Sequence, residues 1–247
     1  MNYPINHTHE ERVNLSKNLV VRLQEKYGSD LLAVAHFGSM SRDEDMDYSD
    51  VDMIAVVKGE KIIDDIEGVQ NGLSYGIDIF SQDIITSKIT SVNMRWPILV
   101  GKFVTAKPLK DEQHLFDTYK QLYEETIRQD FKPYIRHIFL QEIYEECNKF
   151  VNTAQFGTRK QVLYIANRLF TKMITFLGVV NKSYYLSAAS FPGKAMSLPI
   201  NFPSFKLLGE SVISDLNLPT PELQVVVEKM LNEIIQYLIE QGIAFED

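Results

Sequence analysis

The stretch His36-Phe37-Gly38-Ser39-Met40-Ser41-Arg42, followed by the acidic run Asp43 to Tyr48 and then Ser49-Asp50-Val51-Asp52-Met53-Ile54, decides how this chain is read. Leu31 to Phe37 is a short apolar run that enters Gly38-Ser39, the pattern of a buried strand followed by a tight turn. Val51 to Val57 is a second strand, apolar on both sides apart from Asp52. Side chains alternate faces along a strand, so Asp50 and Asp52 point the same way. Two carboxylates forced together repel unless a cation lies between them. Mg2+ suits such a pair, because it is a hard ion that takes carboxylate and phosphate oxygens and keeps several waters. Tyr75 to Phe80 reads as a third strand with one carboxylate, Asp78, between Ile77 and Ile79. Asp50, Asp52 and Asp78 are therefore candidate metal ligands of a kind suited to phosphoryl transfer. Gly38 lets backbone N–H groups approach a phosphate, the Ser39 hydroxyl adds a donor, and Arg42 can hold a phosphate with two bonds.

Outward from this segment, Thr8-His9-Glu10-Glu11 is a capping box opening a helix to about Tyr27, which Gly28 ends. Val13, Leu19, Val20 and Leu23 are expected on or near its apolar face. After Trp96-Pro97, a strand is expected at Lys102 to Thr105, and Lys107 to Glu112 is expected to be a boundary. Beyond it, Glu112 to Arg128, Tyr134 to Phe150 and Thr158 to Leu177 read as helices. Pro192, Pro199 and Pro203 mark a loop region, and Pro219-Thr220-Pro221-Glu222 starts a last helix to about Gln241. The expected class is α+β: a mixed sheet with helices over residues 1–108, then a helical bundle over 109–247.

Composition narrows the function. Of 247 residues, 45% are apolar and 23% charged, which is ordinary for a globular protein. The formal charge of −8, with no Lys/Arg run, argues against a nucleic-acid substrate. Cys147 is the sole cysteine, so a disulfide frame is excluded within the chain. His7 and His9 sit in a polar stretch and are expected to face solvent. No secretory signal is visible, and no apolar run approaches the ~20 residues needed to span a bilayer, so a cytoplasmic location is expected.

Gly38-Ser39…Asp50-Val51-Asp52 resembles the signature of the polymerase-beta-like nucleotidyltransferase superfamily. More closely, the chain resembles the kanamycin nucleotidyltransferase (aminoglycoside 4′-O-adenylyltransferase) family. Glu10-Glu11-Arg12, Lys26-Tyr27-Gly28, Tyr48-Ser49-Asp50, Trp96-Pro97, Gly101, and Glu142 through Glu145 to Lys149 carry the likeness, with a local match at Tyr184-Tyr185-Leu186-Ser187. The resemblance implies Mg2+-dependent transfer of AMP from ATP to an aminoglycoside hydroxyl. It implies Glu145 as general base, with Glu146 an adjacent alternative that lies round the helix from Lys149, and Asp50 and Asp52 as the catalytic metal ligands. Nucleotide contacts fall to Gly38, Ser39, Arg42, Ser49, Lys149 and Ser187, and acceptor contacts to Glu67, Asp78, Glu142 and Glu145. It also implies a homodimer with the active site between subunits. From spacing alone, Glu142, Glu145 and Lys149 share one helix face at i, i+3, i+7, which is usually only a surface pairing. Gly76 stands where the family carries its third carboxylate, and Asp78, two residues on and therefore on the same face, takes that role. Met94 stands where the family's site is polar, and Asp64 and Asp65 are candidates for gripping amines beside Glu67. Alternative acceptors are a lincosamide, another metabolite or a protein side chain. A non-catalytic, antitoxin-like module is the rival from another class.

Overall fold

The structure, a computed structural model, describes residues 4–214 and 216–244. Met1, Asn2 and Tyr3, the start of the segment searched for a signal sequence, lie outside the described residues. The chain divides into two compact units, Met1–Ser91 with Leu99–Arg128, and Val92–Ile98 with Gln129–Asp247. The first is a mixed sheet with helices and the second is helical, the class the pattern predicts.

In the first unit, helix α1 (His9–Tyr27) starts at Thr8, whose side chain accepts the Glu11 N–H while the Glu11 carboxylate accepts the Thr8 N–H. It ends at Gly28 with φ 54° and ψ −125°, a conformation outside the regions open to an L side chain. Strands β1 (Leu31–His36), β2 (Val51–Val57), β3 (Ile63–Gln70), β4 (Leu73–Ser81) and β5 (Lys107–Lys110) form a sheet of order β3-β4-β2-β1-β5. Strands β2 and β4 are parallel and the other pairs antiparallel. Val51, Met53, Ala55, Ile77 and Ile79 pack with Leu15, Leu19 and Leu23 of α1. Alternation then sends Asp50, Asp52, Gly76 and Asp78 to the opposite face. That face is the one the site uses.

Several expectations are corrected here. No strand is expected between Val57 and Tyr75, yet β3 lies there. It is an edge strand with mostly exposed side chains, so it lacks the apolar run of a buried strand. Its signal was the turn Asn71-Gly72, both at positive φ (53° and 85°), the geometry of a two-residue hairpin into β4. Lys102 to Thr105, expected as strand, belongs largely to helix α3 (Trp96–Val104), where Trp96, Val100 and Phe103 are buried at helical spacing. The strand lies instead at Lys107–Lys110, along the outer side of β1. Helix α2 (Gln82–Thr90) follows β4, and α4 (Leu115–Ile127) has its first N–H groups capped by the Asp111 carboxylate. His7 is not solvent-facing, since its side chain is only 9% exposed; His9 is half exposed and bonds Asp45 at 2.8 Å.

In the second unit, helices α5 (Lys132–Ile138) and α6 (Glu145–Phe156) are joined without a break by a π-helical turn, Phe139–Tyr144. Helix α7 (Arg159–Val180), capped by a Thr158/Gln161 box, packs against α6 and α9 (Pro203–Ile213). By length and composition α7 alone among the described residues could cross a membrane, yet 61% of that window is buried within the protein. The loop expected around Pro192 to Pro203 contains α8 (Phe191–Met196) and the start of α9, each with Pro in its first turn. Helix α10 (Thr220–Glu240) lies along α9 and α6.

Candidate functional site

Gly38 has φ 67°, and a methyl group built on it would lie 2.6 Å from Asp52 Oδ2. Only a glycine lets the turn after β1 close over that carboxylate. The turn is tied down by the Phe37 N–H donating to the Asp52 carbonyl at 3.1 Å and by Arg42 Nη1 donating to the Gly38 carbonyl at 2.5 Å. Arg42 also pairs with Glu44 at 2.7 Å. The Ser39 carbonyl accepts the N–H groups of Arg42 and Glu44. Ser49 Oγ accepts the Met46 N–H at 2.9 Å, closing the loop before Asp50.

The Asp52 carboxyl is pushed up to about 6, first by burial and then by the negative charge of Asp50, with Asp78 adding to the effect and Lys102 opposing it. Asp78 Oδ2 accepts from Lys102 Nζ at 2.8 Å, each side chain about 30% exposed. Lys102 also stands 4.4 Å from the centre of the Phe37 ring. Among the described residues no three His, Cys, Asp or Glu side chains converge as a ready-made cage. What the sheet offers is a half-buried carboxylate repelled by its neighbour Asp50, beside a glycine turn whose missing Cβ leaves its oxygen accessible. A divalent cation fits that donor set, because it would replace the repulsion with attraction to hard oxygen ligands.

Register extends this acidic face. Asp52 pairs with Gly76 across β2 and β4, and Gly76 pairs with Glu67 across β4 and β3. Asp65 lies opposite Asp78. Paired residues share a face, so Glu67 and Asp52 flank Gly76, where a Cβ would meet nothing within 4 Å. Gly76 is thus an open notch between two acids, while Asp78 sits one pair further along and is held by Lys102.

In the helical unit, Glu145 and Lys149 pair at 2.6 Å on an exposed part of α6, and Lys149 holds the Glu145 carboxyl below the usual range. Glu142 does not join them. Its carboxylate accepts from Lys172 Nζ at 2.8 Å, and the same Nζ reaches Glu146 at 2.9 Å. The single face expected for Glu142, Glu145 and Lys149 is therefore divided, because Glu142 lies in the π-helical turn, whose extra residues per turn shift side chains off the 3.6-residue register. Glu146 is fully buried and also accepts from Arg168 at 3.1 Å. Ser187 precedes a short 3₁₀ turn, and its hydroxyl lies 3.4 Å from that of Ser190.

Sequence reading missed Lys102, Arg168 and Lys172. Lys102 was hidden by the strand assignment. The other two stand four residues apart on α7, a spacing that hints at a shared carboxylate without naming it.

The model of the KNTase C-terminal domain matches residues 113–244, more than half of the 247. The chain belongs to this family. It is 25% identical to the aminoglycoside nucleotidyltransferase (4′) of Staphylococcus aureus over 190 residues, 77% of this chain and 75% of that protein, and equally to one from a Bacillus species. It is also 25% identical over 137 residues to a putative protein adenylyltransferase of Methanocaldococcus jannaschii, covering 52% of this chain and 88% of that protein. A solved nucleotidyltransferase-like protein from Exiguobacterium sibiricum shares the fold with a TM-score of 0.56 at 13% identity, over 90% of this chain and 75% of that one. The KNTase-family chain is a nucleotidyltransferase.

Proposed function

We propose that this KNTase-family enzyme transfers AMP from ATP to a hydroxyl of an aminoglycoside, working in the cytoplasm as a homodimer with the active site between subunits. The nucleotidyltransferase region, expected over 1–108, supplies the metal and nucleotide contacts. The helical region, expected over 109–247, supplies the base and part of the acceptor site. The observation that carries this reading is the half-buried Asp52 carboxylate, repelled by Asp50 and overlain by the Gly38 turn.

Asp50 and Asp52 would hold Mg2+, with Asp78 beside them. When bound, the ion supplies charge neutralisation for a triphosphate and orients its α-phosphorus. Backbone N–H groups at Gly38-Ser39 and the Arg42 guanidinium bind phosphate oxygens, with Ser49 and Ser187 as further nucleotide contacts. Glu145 takes the proton of the acceptor hydroxyl, whose oxygen attacks the α-phosphorus of ATP while the bond to the β-phosphate breaks and pyrophosphate leaves. In its pair with Lys149 it is a weak base; transfer of Lys149 to a phosphate oxygen would remove the cation that lowers its proton affinity. Glu67, Asp78 and Glu142 offer negative charge to the amines of the acceptor. The acidic row Glu67–Gly76–Asp52 and the net charge of −8 favour a cationic acceptor over a polyanion.

Mass spectrometry of kanamycin, tobramycin and lincomycin incubated with the protein, ATP and Mg2+ tests this. A gain of one AMP on an aminoglycoside is the expected result, lost in Asp50→Asn. Turnover by Asp50→Asn at the wild-type rate would refute the metal assignment. The likeness to a putative protein adenylyltransferase favours one second reading, a protein hydroxyl as acceptor. AMP on the enzyme's own peptides, with all three antibiotics unmodified, would favour it.

A further inference from the structure

Arg12 lies on α1 and is 1% exposed, the only buried arginine among the described residues. Its guanidinium is spent on a single loop. Nη1 donates to Asp45 Oδ2 at 3.1 Å, Nη2 to the Met46 carbonyl, and Nε to the Ser49 carbonyl at 2.9 Å. The Asp45 side chain is itself 2% exposed, and its other oxygen meets His9 Nδ1 at 2.8 Å. The Met46 carbonyl also accepts the Ser49 N–H at 2.8 Å, so the loop is closed on itself and then bolted to α1.

We propose that Arg12 is a positioning residue for the Asp50–Asp52 pair, acting through the Ser49 carbonyl. This rests on the reading that the pair holds a divalent cation. The Ser49 carbonyl belongs to the peptide unit that contains the Asp50 nitrogen, so the bond from Arg12 Nε fixes the plane from which Asp50 departs. Two residues on, the Asp52 carbonyl is pinned by the Phe37 N–H. Asp50 therefore stands between two anchored peptide units. Its side chain is exposed, so its direction is inherited from that backbone. A planar guanidinium can serve three acceptors in fixed directions at once, which a compact ammonium cannot. The arrangement needs a buried charge, and Asp45 is the counter-ion that makes it tolerable.

Loss of Arg12 alone would strand the Asp45 carboxylate and destabilise the fold, so the test separates the charge from the carbonyl clamp. Arg12→Met/Asp45→Asn removes both buried charges and the clamp. Asp45→Asn alone keeps Arg12 on the two carbonyls. Mn2+ binding to the full chain, without nucleotide, is followed by the loss of the free-ion EPR signal, and folding by circular dichroism at the same temperature. Wild type is expected to bind Mn2+ saturably, and Asp52→Asn to abolish that binding. Outer-shell supports of metal sites are commonly worth ~10–100-fold in affinity. The double variant is therefore expected to stay folded and to lose at least ~10-fold, with Asp45→Asn within about threefold of wild type. Wild-type affinity in the folded double variant would overturn the proposal. So would an equal loss in Asp45→Asn, which would make the ion pair and not the clamp responsible. Absence of saturable Mn2+ binding to wild type would refute the metal reading itself.

Discussion

Replacing Gly38 by alanine separates two effects that the structure superimposes at one residue. The first is conformational: φ 67° costs an L side chain ~1–2 kcal/mol, whatever surrounds it. The second is steric: the new methyl would lie 2.6 Å from Asp52 Oδ2, about 1 Å inside a comfortable contact. The atom in the way is the end of a side chain, so relief comes cheaply by turning the Asp52 carboxylate aside. Stability then suffers little beyond the backbone term, while the carboxylate loses its place. Gly28 is the control, with φ 54° and nothing within 4 Å of a built Cβ. Gly38→Ala should lose about 1–2 kcal/mol, roughly 2–8 °C in midpoint for a chain of this size, and Gly28→Ala at least as much, because its ψ of −125° lies outside the left-handed helical region. Gly28→Ala should keep its AMP-transfer rate. Gly38→Ala should lose ~100-fold or more, the scale on which a misplaced reacting group costs rate. Thermal unfolding and pyrophosphate release with kanamycin as acceptor measure the two quantities. If Gly38→Ala turns over as fast as Gly28→Ala, the close fit between the glycine turn and Asp52 has no functional weight.

Three further outcomes are expected. His36 is buried with Nε2 2.7 Å from Ser16 Oγ, and burial, with Lys107 and His9 adding, holds its ring near 4 against an ordinary 6.5. The unfolded chain therefore binds the extra proton first, so this contribution is complete above pH 6.5 and is lost as pH falls towards 4. At ~1.4 kcal/mol per pH unit it amounts to about 3 kcal/mol. Urea unfolding of wild type and His36→Gln between pH 4 and 7 should show a shallower slope in the variant. In the helical unit, Glu146→Ala strips a fully buried carboxylate from Arg168 and Lys172 and should cost about 3 kcal/mol, the low end for such pairs because both cations can reach water. Glu145→Ala, one residue earlier on the exposed side, should leave the unfolding midpoint in place and abolish transfer. Equal midpoints for the two variants would contradict the division of roles between these neighbours.

Much of the catalytic unit is legible in one dimension because its signals are local. The Thr8/Glu11 box, the Gly28 stop, the apolar strands around Gly38-Ser39 and the Asp50-Val51-Asp52 alternation each follow from the conformational preferences of a few adjacent residues. β3 eluded that reading because an edge strand needs no buried stripe, although Asn71-Gly72 marked its hairpin. α3 eluded it because Trp96, Val100 and Phe103 satisfy a helical spacing only when the window is centred on them.

By itself, then, the sequence determined the class of chemistry: a glycine turn, two acids on alternate strand positions and a third acid on another strand, in a chain too acidic to favour a polyanion. Tertiary structure alone decided which charges are available for it. Arg12 looks like any helix-surface arginine until α1 packs and closes water off from it, and Glu146 is distinguished from Glu145 only by the approach of α7. Lys102 meets Asp78 across 24 residues, and Glu67 meets the notch at Gly76 through strand register. Burial and pairing between distant segments set the energy of a charge, and no local pattern encodes them.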